Sequence, residues 1–154
     1  MGVILYEEAF PLLVYPSPSE MSELAIQELD DAFKRVWARG ERYALISVTA
    51  HSAPPASGRQ RMAAWASRDD VYEASGRYCV GSATIVSSAL HRGALTAILW
   101  LFRPAAPHET FGTVDEGIDY CLARIAEAAL PTPIPPGHMR SMVKKWIDAN
   151  APQG

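Results

Sequence analysis

The chain reads as an α/β domain: a mostly parallel sheet with an N-terminal β-hairpin, four crossover or packing helices and an added C-terminal helix. Three observations predict this. Short β-favouring runs alternate with segments of helical periodicity in the order β-β-α-β-α-β-α-β-α. Two of the middle runs, Tyr43–Thr49 and Tyr78–Ser87, are rich in apolar and β-branched residues, as strands covered on both faces are. A Ser or Thr followed three residues later by Glu or Gln recurs ahead of the helical segments, the pattern of a capping box.

Val3–Tyr6 and Leu12–Tyr15 are short β-favouring runs separated by Glu7–Pro11, which suits a hairpin at one edge of the sheet. Ser17-Pro18-Ser19-Glu20 predicts a helix capped by Ser17, with Pro18 in its first turn. Ile26, Leu29, Phe33, Val36 and Trp37 form its apolar side, and Gly40 closes it. Tyr43–Thr49 is the next strand. Ser57-x-x-Gln60 predicts a second helix, to about Arg68, with Met62, Trp65 and Ala66 inward; the polar stretch Asp69–Arg77 reads as turns. Tyr78–Ser87 is a central strand, and Ser88–Phe102, apolar on nearly every side, is a helix packed against the sheet and ended by Pro104. Glu109–Val114 is a short strand. Thr113-Val114-Asp115-Glu116 opens a helix with Ile118, Cys121, Leu122 and Ile125 inward.

Residues 1–130 thus form one domain, and 131–137, reading Pro-Thr-Pro-Ile-Pro-Pro-Gly, form a stiff spacer before a last helix at about His138–Asn150. That helix carries Met139, Met142, Val143, Trp146 and Ile147 on one face and Arg140, Lys144 and Lys145 elsewhere. Three destinations fit such a face: its own sheet, a second subunit or another protein, or an anionic membrane surface.

The chain has 154 residues, enough for one core, and 49% hydrophobic against 20% charged residues places it in the globular range. A net charge of −3 gives no general attraction for phosphate backbones, so no nucleic-acid partner is expected. Cys79 and Cys121, the only two cysteines, lie in apolar surroundings and read as free buried thiols. There is no basic, apolar leader pattern after Met1, and the longest apolar run, Ala94–Phe102, is far shorter than the roughly 20 residues a bilayer requires. The expected location is the cytoplasm.

The loop 50–61 joins the clearest strand to the Ser57 helix, and helix N-termini favour anions. Ser57 is either a plain N-cap or a phosphoacceptor next to Arg59 and Arg61. Arg92, in the first turn of its predicted helix, opposes the helix dipole unless an anion lies near; with Gly58, Arg59 and Arg61 it is a candidate ligand contact, against the plainer account of pairing with Asp69, Asp70 or Glu73. His51 with Ser52 or Ser57 and a carboxylate such as Asp69 could make a nucleophile and base, but no Gly-x-Ser-x-Gly elbow accompanies them. The four histidines show no metal-ligand spacing, and Gly76–Gly81 lacks both the lysine of a phosphate loop and the spacing of a dinucleotide fingerprint; no metal and no cofactor are expected.

The element order, with Arg42–Thr49, Ser57-Gly58-x-x-Arg61-x-x-x-Trp65, Ala83–Val86 and Arg92–Leu101, resembles the STAS/SEC14-like, or SpoIIAA-like, bacterial domains over about residues 1–130. The resemblance implies a small regulatory or binding module without catalysis. It also implies that Ser57-Gly58 matches the family's phosphorylated serine, although Ala56 stands where an acidic residue is usual. The expected function is a non-catalytic module acting through protein–protein contacts, homodimerisation included, with the Ser57 loop and the last helix as contacts. A small-molecule or lipid-binding domain with arginines on the head group is the alternative, and a small hydrolase a third.

Overall fold

A computed structural model describes residues 5–18, 20–48, 56–86 and 104–150. Four strands, β1 (Leu12–Pro16), β2 (Tyr43–Val48), β3 (Cys79–Ile85) and β4 (His108–Phe111), form one sheet in the order β1-β2-β3-β4, every named pair parallel. The helices are α1 (Glu23–Ala38), α2 (Ala56–Ala66), α3 (Asp69–Tyr78), α4 (Val114–Glu127) and α5 (Pro136–Asn150). The mixed α/β class read from the sequence is the one observed. The predicted helix Ser88–Phe102 falls outside the described residues.

Alternation along each strand separates two apolar layers. Leu12, Val14, Ala44, Ile46, Val48, Ala83 and Ile85 face α4 and α5; Leu13, Tyr15, Tyr43 and Cys79 face the side on which α1 packs. Both faces are covered, which is why β2 reads as a near-continuous apolar run interrupted at Ser47.

Of the predicted N-terminal hairpin, Val3 and Ile4 lie outside the described residues; among those described, Tyr6 and Val14 form an antiparallel bridge with backbone bonds of 2.9 and 3.2 Å. Phe10 and Leu12 donate backwards to Glu7 and Ala9, so the intervening residues curl into turns instead of extending. Helix α1 begins later than Ser17 because the Ser17 N–H is engaged with the Val48 carbonyl at 2.9 Å, prolonging the sheet. Met21 then buries its side chain, and Ser22 becomes the cap, its hydroxyl accepting from Ala25 N at 3.1 Å. Gly40 ends the helix with φ +70°, a conformation that costs glycine nothing.

Helix α2 starts at Ala56, so Ser57 lies inside its first turn and is not the cap. The stretch read as turns from Asp69 to Arg77 is helix α3. Its polarity disguised a helix that inserts one fully buried side chain, Val71, and places Asp69 and Asp70 at its positive end. Strand β4 ends at Phe111 because Thr113 is the α4 cap, accepting from Glu116 N at 3.3 Å, while its hydroxyl meets the Glu116 carboxylate at 2.8 Å.

The Pro-rich spacer is shorter than predicted. Pro136 is already the first residue of α5, where a missing N–H has no cost, and the Pro135 carbonyl accepts from His138 and Met139 at 2.9 Å. Leu130 and Ile134 pack on the same layer as α5. Met139, Val143 and Ile147 are buried against the β1 face and Trp146 stacks on Tyr6, ring centroids 4.9 Å apart. Arg140 pairs with Asp115 and Asp119, and Lys144 with Asp115, riveting α5 to α4.

Gly117 marks the closest approach of α4 to the sheet: a Cβ there would collide with Ile85 Cδ1, in a core where Ile85 has no free space. Gly117→Ala gains up to about 1 kcal/mol of helix propensity but incurs about 1–3 kcal/mol of overpacking. A net loss of about 1 kcal/mol in urea denaturation is the expected result; a stabilised variant would show that Ile85 can swing aside.

Candidate functional site

The four strands end along one edge of the sheet, at Pro16, Val48, Ile85 and Phe111. Among the described residues the strand order never reverses, so the topology supplies no switch point between strands there. The concave feature at this edge instead lies between helices. A cleft of about 240 Å³ is lined on one wall by Glu20, Met21 and Ser22, leading into α1, and on the other by Ser57, Gly58 and Arg61 of α2.

Gly58 lets the walls close. A Cβ at that position would lie 3.2 Å from Met21 Cβ, tighter than nearly all such contacts. Arg61 crosses the cleft to donate to the Met21 carbonyl at 3.2 Å, which uses one of its five N–H groups. Met21 itself is held from beneath: its side chain is 2% exposed and its sulfur accepts from the Tyr15 hydroxyl at 3.8 Å. Burial, with Glu28 adding to it, raises the Tyr15 pKa, so this hydroxyl remains a donor.

The spacing of the two walls is set one turn deeper by Asp30. This carboxylate, 5% exposed at its side chain, accepts from Trp65 Nε1 at 3.0 Å, pairs with Lys34 at 2.7 Å and faces Arg68 at 3.5 Å. Burial alone would raise its pKa; the hydrogen bonds from Lys34 and Trp65 and the Arg68 charge outweigh that and hold it below the ordinary carboxylate value. One acid therefore ties α1 to α2 and to the residue preceding α3. Elsewhere on α1, Leu24 in its first turn is 68% exposed.

A second polar cluster sits within the sheet. His108 Nδ1 lies 3.1 Å from Ser82 Oγ and its Nε2 lies 3.3 Å from Thr84 Oγ1. Burial lowers its pKa to about 4, so the ring is neutral and both nitrogens are spent on hydroxyls. Here the nitrogen remote from Ser82 meets Thr84 and not the carboxylate that orients the imidazole of a hydrolytic triad.

Of the residues singled out in the sequence, Ser57, Gly58 and Arg61 come together in the cleft, and Arg59 is exposed on α2 beside them. His51 and Arg92 lie outside the described residues, as does Ser52. Arg68 pairs with Asp70 at 2.7 Å and Arg77 with Glu73 at 3.4 Å, which accounts for those two arginines structurally. Met139, Val143 and Ile147, read as partner contacts, are fully engaged in the chain's own core, while Met142 and Trp146 are half-buried at its margin. Helix α5 thus packs the Met139, Val143 and Ile147 part of its apolar face on its own sheet, while Met142 and Trp146 keep some exposed surface. Cys79 and Cys121 are free and buried; burial pushes the Cys79 thiol up to about 12 and raises that of Cys121, so neither is a nucleophile near neutrality.

The sequence reading missed the α1 wall and the His108 cluster. The first had a signal in Ser22-Glu23, a cap competing with Ser17. The second had one in Ser82 and Thr84, two hydroxyls at period 2 inside an otherwise apolar strand.

Among the described residues no group of three His, Cys, Asp or Glu is placed to hold a metal ion, and no helix is long and apolar enough to cross a membrane. In comparisons with known proteins, no family model, curated protein or solved structure matches this chain.

Proposed function

We propose that the chain is a non-catalytic binding module that works through protein–protein contact at the α1–α2 cleft, in keeping with the STAS/SpoIIAA-like resemblance of residues 1–130 and with a cytoplasmic setting. One observation carries the reading. The cleft, at about 240 Å³, is smaller than the roughly 300–1,000 Å³ of small-molecule pockets, and Glu20, Ser22, Ser57 and Arg61 give it a mostly polar lining. A small depression with polar walls suits a protein contact, where it takes up one protruding side chain of a partner, better than it suits an enclosed ligand. Ser57 in the wall gives the contact a modifiable group: a phosphate there would add about two negative charges opposite Glu20 and beside Arg61.

The test is a photo-reactive amino acid placed at Ser57, exposed in the cleft wall, and, as a control, at Lys145, which is exposed on α5. Irradiation in the native cell is expected to give a discrete adduct of protein mass from position 57 and none from 145. Adducts of equal intensity from both positions, or none from either, would remove the basis for the reading.

A further inference from the structure

We draw no further inference here: the strongest candidate, the polar patch that Ser82, Thr84, His108 and Thr110 make on the β3–β4 half of the sheet face on which α1 packs, carries nothing because nothing among the described residues shows what covers it.

Discussion

A chain ending at Leu130 will not fold. Its loss removes Met139, Val143 and Ile147, all buried against Leu12 and Val14, and with them the stack of Trp146 on Tyr6. Burying one such aliphatic side chain is worth about 1.5–3 kcal/mol, so the three together contribute about 5–9 kcal/mol, before counting the β1 surface that returns to water. Whole domains of this size are stable by only about 5–15 kcal/mol. Far-UV and near-UV circular dichroism of the truncated chain should show lost tertiary signal and no cooperative urea transition. A single buried-charge substitution, Val143→Asp, is expected to do nearly as much damage, about 4 kcal/mol or more, whereas Ile147→Val should cost only about 1 kcal/mol. A truncated chain that unfolds cooperatively at the wild-type midpoint would mean that α5 is not part of this core.

Acid destabilisation that depends on one histidine is the second large effect. His108 titrates near 4 in the folded chain and near 6.5 unfolded, so between those values the unfolded state binds a proton that the folded state refuses. Stability from this group is complete above about pH 6.5 and is lost as pH falls toward 4, by up to about 3 kcal/mol. Asp30 acts with the same sign in a lower window: its folded pKa is depressed, so its contribution persists until the pH drops below the ordinary carboxylate value of 3.8. The two can be separated. Urea midpoints measured from pH 7 to pH 4 should fall for the wild type and much less for His108→Gln, which keeps hydrogen-bonding capacity without a titratable ring. Parallel curves for the two proteins would show that the imidazole is not held neutral.

How far the sequence could be read depended on where each signal resided. Helix α1 was legible from its periodicity and its Gly40 terminator, although its cap is Ser22 and not Ser17; α4 was legible from its Thr113 cap and periodicity, and β2 because burial on both faces leaves Ser47 as its one non-aromatic polar position. Helix α3 was not: with Val71 as its one fully buried residue, its stability rests on Arg68–Asp70 and on the dipole, interactions that composition records only as polarity. The hairpin was legible only in part: among the described residues Tyr6 bridges Val14 in the antiparallel sense, while the pairing of β1 with β2, some thirty residues away, has no local signal. Of the candidate site, the α2 wall could be found from Ser57-Gly58-x-x-Arg61. Its opposing wall could not, because Met21 reaches that position by a packing requirement of the core beneath it.

The return of α5 to β1 also sets a clock on synthesis. Strand β1 leaves the ribosome long before α5, which covers it, and at about 5–20 residues per second the interval between Leu12 and Met139 is on the order of ten seconds. Until then, the face formed by Leu12 and Val14 is an apolar surface on a growing chain. The apolar layer between the sheet and α4 and α5 therefore closes only once α5 is synthesised, and β1 is the element that waits longest for its cover.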